Sequence, residues 1–549
     1  MSKLFERLLE VRGIGEDFLH PKYENLSDPY LLPDMEKAVT RLEQAAEKGE
    51  KVIIYGDYDV DGVTASTVMS EILKMIGVKE VEVMLPNRFR DGYGMNERVV
   101  ERAKECGAKL VITVDCGTNN REIIEKLNEA GVEVVVTDHH ELSGELPEAV
   151  AVVNPKVANL EDESSDVGVR RKKGLRNLCG AGVAFMIARA LVKRGKIPDG
   201  QEKWLLDLVT IGTICDSMKM RGDNRIICYY GMIVLSKTRR QGLIELMKVA
   251  GVKKLDTEAI GFQIGPRLNA AGRVKSAEVA LNLLMTKDKV EAVSLAMELD
   301  KLNKERKRQQ EDATKEIAER GDFDNERVIV VQGKWNEGVL GIIAGRLTER
   351  YRKPSIVLTE VEKGLKGSGR SFGDFNLAEA LRECQNLLVS GGGHAEACGL
   401  MVKNGELEGF RRKINDYYDS LGLKNQGRFL EVKEDLRVGD IRNLSLELVE
   451  EISQLEPYGE GNEEPVFKLS ETTILDVKPM GENKAHLGIV ARGQKGSIIR
   501  LVAFYARPEW FQIEAGREAD IWVRIFANEW NGTSNIEGRI LRVEKRNDI

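Results

Sequence analysis

Asp57, Asp59 and Asp61, in the run GDYDVDG at 56–62, are the first residues of this chain whose types and spacing suggest chemistry. They follow directly on the β-branched run KVIIY, and if the extended backbone continues, positions i, i+2 and i+4 share one side. Three neighbouring carboxylates repel one another unless they are protonated or neutralised by cations, and a metal answers all three together. Two later runs end in comparable chemistry: KLVITVDCG leaves Asp115, and VEVVVTDHH leaves Asp138, His139 and His140. Asp216 in VTIGTICDSM follows a further apolar segment. The chain has five histidines, so an adjacent pair at such a place is informative. An oxygen-rich set with one or two imidazoles suits Mn²⁺ or Mg²⁺ better than zinc, and the imidazole shifts the balance toward Mn²⁺. If one carboxylate bridges two ions, water activation and charge stabilisation on a phosphoryl group become available, which is phosphoester hydrolysis without a covalent intermediate. The spacing alone leaves the number of metals open.

These residues meet only if the strands before them run parallel. The runs KVIIYG, VEVML, KLVITV, VEVVVT and AVVN between Lys51 and Asn154 alternate with helical segments such as STVMSEILKMIG, the signature of a βαβ series. In such sheets ligands bind outside the carboxyl ends of the strands. Residues 156–177 break the pattern with acids followed by Arg170, Arg171, Lys172, Lys173 and Arg176, read as a solvated loop or a nucleic-acid contact. From Thr286 to Arg320 the chain reads as one long connecting helix with Val290, Val293, Leu295, Leu299 and Leu302 on its apolar face. A second α/β block follows with RVIVVQG, GVLGIIAGRLTERY, SIVLTE, the glycine-rich GLKGSGRSFGDF and VSGGGHAEACGLMV. Beyond Val432 short strands suggest a small β-barrel, with a β-sandwich equally compatible with the periodicity.

The 549 residues, 42% of them hydrophobic, suffice for several domains, and a net charge of −7 excludes a uniformly basic coat but not a basic groove. Seven scattered cysteines without a CxxC pair argue against a disulfide framework or a thiolate zinc knuckle. The start MSKLFERLLEVRGIGEDFLH is too polar for a signal peptide, and no apolar run approaches the roughly 18 residues of a membrane span, so a cytoplasmic protein is expected. The acidic turn after the first strand excludes a dinucleotide-binding GxGxxG fingerprint.

With GDYDVDGVTAS, VDCG, TDHH, NPK, CGAGVAF, GTICD, GPRLNAAGR, WNEGVLGI, GSGRS, GGGHAEACG and PYGEGNEEPVF in this order, the chain resembles the DHH-family phosphoesterases, and within them their single-strand-specific exonucleases, over nearly its whole length. The resemblance implies a parallel-sheet DHH lobe joined by a long helix to a second, DHHA1-like α/β lobe, followed by an OB-fold-like barrel. The corresponding division is 1–50, 51–285, 286–320, 321–430 and 431–549. It implies Asp59, Asp61, Asp115, His139 and Asp216 as ligands of two Mn²⁺ ions, with Asp115 bridging, Asp57 as an acid beside them, and His140 at the scissile phosphate. Mg²⁺ is an alternative metal. Asn269 and Arg273, Arg370 and Ser371, and His394 match phosphate or DNA contacts, and the small residues around the first pair permit close approach to a backbone phosphate. The implied activity is 5′-to-3′ removal of mononucleotides from single-stranded DNA during repair and recombination, by a monomer supplied with substrate by a single-strand-binding protein and a helicase. One departure stands out: Asn336 occupies a position where the family commonly has histidine, and Asn carries no proton near neutral pH. A zinc site from Cys384, His394 and Cys398 is disfavoured. Phe504, Tyr505, Trp510, Phe511, Trp522, Phe526 and Trp530 include candidate base-stacking residues. The competing readings are a hydrolase of short oligonucleotides or cyclic dinucleotides and a catalytically inactive DNA-binding component.

Overall fold

Each of the five β-branched runs between Lys51 and Asn154 is a strand: β1 (Val52–Gly56), β2 (Val81–Met84), β3 (Leu110–Val114), β4 (Glu133–Thr137) and β5 (Ala151–Val153). This computed structural model describes residues 1–88, 90–91, 94–157, 174–321, 323–423, 432–481, 486–504, 506, 508–530 and 532–546. The basic run Arg170–Lys173 lies outside them. All pairings in the first sheet are parallel, in the order β2-β1-β3-β4-β5. The winding direction reverses between β1 and β3, and a crevice opens at the carboxyl ends of the strands at such a point. Register pairs Gly56 with Val114 and Val114 with Thr137, so Asp57, Asp115 and Asp138 each follow the sheet's edge at the same level.

One helical layer packs against the strands of this sheet. The helix Val60–Met75 is buried on nearly every side, against helices Gly180–Lys193 and Leu206–Cys215. A polar clamp ties two of these together away from the strand ends. Arg240 directs Nε to Asp207 (3.0 and 3.1 Å) and Nη2 to Glu71 (3.0 Å), while Thr238 donates to Asp207 (2.7 Å). Glu71 lies on the helix that starts beside Asp59, and Asp207 on the helix that ends at Asp216.

The long helix runs Lys289–Glu319, roughly 46 Å at 1.5 Å per residue, and Asp288 caps it by accepting from the Glu291 N–H (2.8 Å). Its buried stripe differs from the expected one. Val290 and Val293 are exposed, and Ala292, Ala296, Leu299, Asp300 and Asn303 face inward, because small side chains let the helix lie close to its neighbours. Its first half packs on the first lobe, and Ala313 and Ile317 join the core of the second. That lobe has β6 (Ile329–Gly333), β7 (Ser355–Val361), β8 (Gly364–Arg370), β9 (Leu388–Gly393) and β10 (Ala397–Val402), ordered β6-β7-β8-β10-β9. Only β6 and β7 run parallel.

The contact pattern divides the chain into two compact units. Both α/β lobes belong to one, which begins at Ser27. The other unites Met1–Leu26, Lys219–Arg221 and the described chain beyond 431, so the segment 1–50 is shared between units. Within it β11 (Leu436–Val438), β12 (Phe467–Met480), β13 (His486–Arg492), β14 (Ile498–Ala503), β15 (Glu518–Trp530) and β16 (Thr533–Lys545) form one sheet that the β12–β15 pairing closes into a barrel. The closed order β12-β13-β14-β16-β15, with β14 parallel to β16, is that of an OB barrel and decides against a sandwich. The helix Lys3–Arg12 inserts Phe5 and Leu8 into the barrel's core, and Arg12 grips Asp435 with two hydrogen bonds of 2.6 and 2.7 Å. Among the described residues no helix is long and apolar enough to cross a membrane.

Removing one partner from the Arg240 clamp leaves a buried guanidinium under-compensated. Asp207→Ala should therefore lower the unfolding free energy by about 3 kcal/mol, read as an earlier thermal transition followed by circular dichroism. An unchanged transition would show that the clamp contributes nothing.

Candidate metal centre and phosphate pocket

The strand β1 ends at Gly56, so the three aspartates of GDYDVDG do not share one side of an extended strand. Asp57 follows the strand, Asp59 is the N-cap of the helix Val60–Met75 and accepts from the Gly62 N–H (3.0 Å), and Asp61 lies in that helix's first turn. A helix start gathers carboxylates because its free N–H groups and dipole favour negative charge. Asp61 is buried and takes two further donors from the start of another helix, Gly180 N–H (2.5 Å) and Ala181 N–H (3.0 Å).

Asp115 is buried after β3 in the left-handed region, φ 58°, a conformation that costs energy for a non-glycine residue and recurs at functional sites. Asp216 caps the carboxyl end of Leu206–Cys215, where the helix dipole disfavours an anion. His139 brings these together: its Nε2 lies 3.0 Å from Asp115 Oδ1, 3.5 Å from Asp216 Oδ2 and 3.8 Å from Asp61 Oδ2. Among the described residues three groups of side chains converge closely enough to hold a cation, namely Asp57 with Asp59 and Asp115, Asp61 with His139 and Asp216, and Asp115 with His139 and His140. Asp115 and His139 each belong to two of them.

The electrostatics are those of a site short of positive charge. Burial and then Asp59 push Asp57 up to about 8. Burial, Asp61 and Asp59 do the same for Asp216, and burial followed by the four surrounding aspartates raises Asp115 well above the carboxylate range. Burial lowers His139 to about 4, so its imidazole is neutral and does not supply the missing charge. Asp115 Oδ1, Asp216 Oδ2 and His139 Nδ1 are buried without a hydrogen-bond partner. Oxygen donors around a neutral imidazole, with orphaned carboxylate oxygens, fit a divalent cation.

His140 is held differently. Its Nδ1 lies 2.8 Å from Asp138 Oδ1, and although burial opposes its charged form, this bond and the carboxylate charge raise it to about 8. Asp138 also accepts from the N–H groups of Thr118, His139 and His140, which with the His140 ring hold it below the usual carboxylate range despite burial. Asn154, from the NPK motif, donates to the His140 carbonyl and to Thr118 (both 2.9 Å).

Asn269 and Arg273 lie on the helix Gly265–Val274, whose Gly272 rests against the Tyr58 carbonyl; a Cβ there would come within 2.9 Å of it. Arg273 reaches the second lobe, donating to the Gly338 carbonyl (3.3 Å). Burial, followed by the charges of Arg88, Arg306 and Arg370 and opposed by Asp59, lowers it to about 10. The sequence reading missed Arg88 and Arg306. Arg88 stacks over Tyr58 at 4.2 Å, and both carry a buried Nε without a partner. Arg88 sits in a loop without a motif, and Arg306 hides among the many charges of the long helix. Arg370 ends β8 and donates to the Gly369 carbonyl (2.9 Å); Ser371 donates to the Phe375 carbonyl. His394 is exposed on the β9–β10 turn, and no described contact joins it to this group. Cys384 and Cys398 are buried in the second lobe's core while His394 is exposed, which leaves the zinc alternative without a geometric basis. Asn336 has a local role, capping a short turn by accepting from the Gly338 N–H (2.8 Å).

In the barrel Trp510 is buried, and Trp522 is buried between Lys468 and Arg542, with Nε1 donating to Glu434 (2.9 Å). Phe526 is half-buried. Phe504 is 51% exposed, edge-on to His486 and beneath Arg539, and Phe511 is partly exposed. Tyr505 and the Trp530 side chain lie outside the described residues.

Comparison with known proteins gives three family matches: the N-terminal domain of the DHH family at 51–213, the DHHA1 domain at 325–420 and the RecJ OB domain at 438–542. The single-stranded-DNA-specific exonuclease RecJ of Bacillus subtilis is 37% identical over 537 residues, covering 96% of this chain and 66% of its own length. The Haemophilus influenzae protein of the same name is 30% identical, covering 97% of this chain and 95% of its own. The crystal structure of RecJ in complex with Mn²⁺ from Thermus thermophilus superposes with a TM-score of 0.85 at 28% identity, covering 100% of this chain and 77% of that one.

A Cβ at Gly180 would lie 2.5 Å from Asp115 Cβ, so Gly180→Ala must displace that carboxylate. We expect Mn²⁺ affinity by calorimetric titration to fall roughly 10- to 100-fold with near-UV circular dichroism preserved. Unchanged affinity would remove Asp115 from the metal centre.

Proposed function

The chain belongs to the RecJ family of DHH phosphoesterases, and on that footing we propose that it is a metal-dependent exonuclease hydrolysing the phosphodiester bonds of single-stranded DNA. The observation that carries this reading is the meeting of Asp115, Asp216 and Asp61 around the Nε2 of a neutral His139. Asp59, Asp61, Asp115, His139 and Asp216 would hold two Mn²⁺ ions, with Mg²⁺ as the alternative. When bound, such ions supply Lewis acidity toward a phosphoryl oxygen and lower the pKa of an attacking water.

The chain's own residues do the rest. His140, oriented by Asp138, donates to the scissile phosphate and is charged near neutral pH, so it stabilises the negative charge that builds there. Asp57 tops β1 beside Asp59 and holds a proton or a ligand's charge as the occupancy of the centre changes. Arg273 and Arg370, with Asn269, Ser371 and His394, hold backbone or terminal phosphates and fix the strand's register. Mononucleotides leave from the 5′ end, in the 5′-to-3′ direction, in the service of DNA repair and recombination. A passage between the two α/β lobes too narrow for a second strand excludes duplex DNA.

The division at 51–285, 286–320 and 321–430 carries these roles, and the barrel at 431–549 is a further single-strand-binding surface, with Phe504 the aromatic best exposed for stacking. A monomer acting in the cytoplasm, fed by a single-strand-binding protein and a helicase, completes the reading. The barrel disfavours a hydrolase limited to dinucleotides, which has no use for such a surface. The full acid and histidine set disfavours an inactive binding component.

With Mn²⁺, release of 5′-labelled mononucleotide from a single strand should greatly exceed that from a blunt duplex and stop on chelation. Asp115→Ala should reduce it by more than about 100-fold, beyond the effect typical of outer-shell partners. Equal cleavage of both substrates, or full activity in that variant, would sink the proposal.

A further inference from the structure

Phe262 is 74% exposed, an unusual place for a phenyl ring in a segment whose neighbours Ile260 and Ile264 are fully buried. A single exposed apolar residue is ordinary. Its setting is not. It lies in a π-helical turn, Ile260–Ile264, that continues without a break into the helix Gly265–Val274, and such wide turns concentrate at functional sites. The turn is seated beside Cys215, whose Sγ lies 4.0 Å from the Ile260 carbonyl, and the next residue is Asp216 of the metal centre.

The spacing supplies the direction. Phe262, Pro266, Asn269 and Arg273 are separated by four, three and four residues, which places them on one face of the helix. Arg273 at the far end stands among Arg88, Arg306 and Arg370. Eleven residues at 1.5 Å each put Phe262 about 16 Å from Arg273 along the axis, a span of a few nucleotides in an extended strand.

We propose that Phe262 is a stacking platform for one base of the bound single strand, a few nucleotides from the phosphate held at Arg273, on the same helix face as the phosphate contacts. This rests on the exonuclease reading above. Phosphate contacts alone let a strand slide by one repeat without loss, whereas a base seated on a ring fixes its register for the next cleavage. The ring offers no hydrogen bonds, so the platform accepts any base. It also favours an unpaired base, whose face is free.

The test compares wild type, F262A and F262W on 5′-phosphorylated oligodeoxynucleotides whose first linkages are hydrolysis-resistant phosphorothioates. Each carries one 2-aminopurine or one abasic residue at successive positions. F262A should weaken binding roughly five- to 150-fold, the range for loss of one base stack, and F262W should restore it. At one position near the 5′ end, wild type should quench 2-aminopurine and lose affinity on base removal, and F262A should do neither. F262A binding with wild-type affinity, or an abasic penalty that persists in F262A at every position, overturns the platform. If wild type releases no nucleotide from the unmodified strand with Mn²⁺, the exonuclease reading itself fails and takes the platform with it. If it does release nucleotides while F262A binds normally, the platform alone is lost.

Discussion

The structure of the first lobe is organised around holding together carboxylates that repel one another. Asp57, Asp59, Asp61, Asp115 and Asp216 come from two strand ends, a helix start and a helix end, and burial makes their mutual repulsion worse. The scaffold offsets part of this with the N–H groups of Gly180 and Ala181 on Asp61 and with the positive end of the helix Val60–Met75. It accepts the rest as strain, visible in the left-handed backbone of Asp115 and in an acid at the wrong pole of a helix. A divalent cation removes the conflict, which is why the same geometry that destabilises the empty set favours the loaded one.

A group of arginines carries the opposite imbalance. Arg88, Arg306 and Arg370 come from three different parts of the unit and add to burial in depressing Arg273. Their packing leaves the Nε atoms of Arg88 and Arg306 buried without partners. The long helix, which carries Arg306, is seated in both lobes. A net charge of −7 conceals this separation of sign.

His139 and His140 are neighbours in sequence with opposed fates. His139 turns inward among carboxylates and stays neutral, whereas His140 is paired with Asp138 and is charged near neutrality. The difference arises because burial prevails at His139, whereas the hydrogen bond to Asp138 and its charge outweigh burial at His140. Asp138, the least visible member of the TDHH run, sets it by accepting both backbone N–H groups and the His140 ring.

The sequence by itself determined the five parallel strands, the long connector, the second α/β block and the set of acids and histidines. β-Branched runs and helical periodicity are local signals, and the chemistry of a residue at a strand end is written in its type. Even so, alternate spacing suggested a shared strand face for Asp57, Asp59 and Asp61, where a strand end and a helix cap gather them instead. Only the tertiary structure decided that β12 and β15 close a barrel and that the first helix belongs to it. The same is true of the inward stripe of the long helix, which follows its alanines rather than Val290 and Val293, and of Arg88 and Arg306 meeting Arg273. Those outcomes depend on contacts between residues far apart in the chain, whose free energy comes from packing and desolvation that no local window contains.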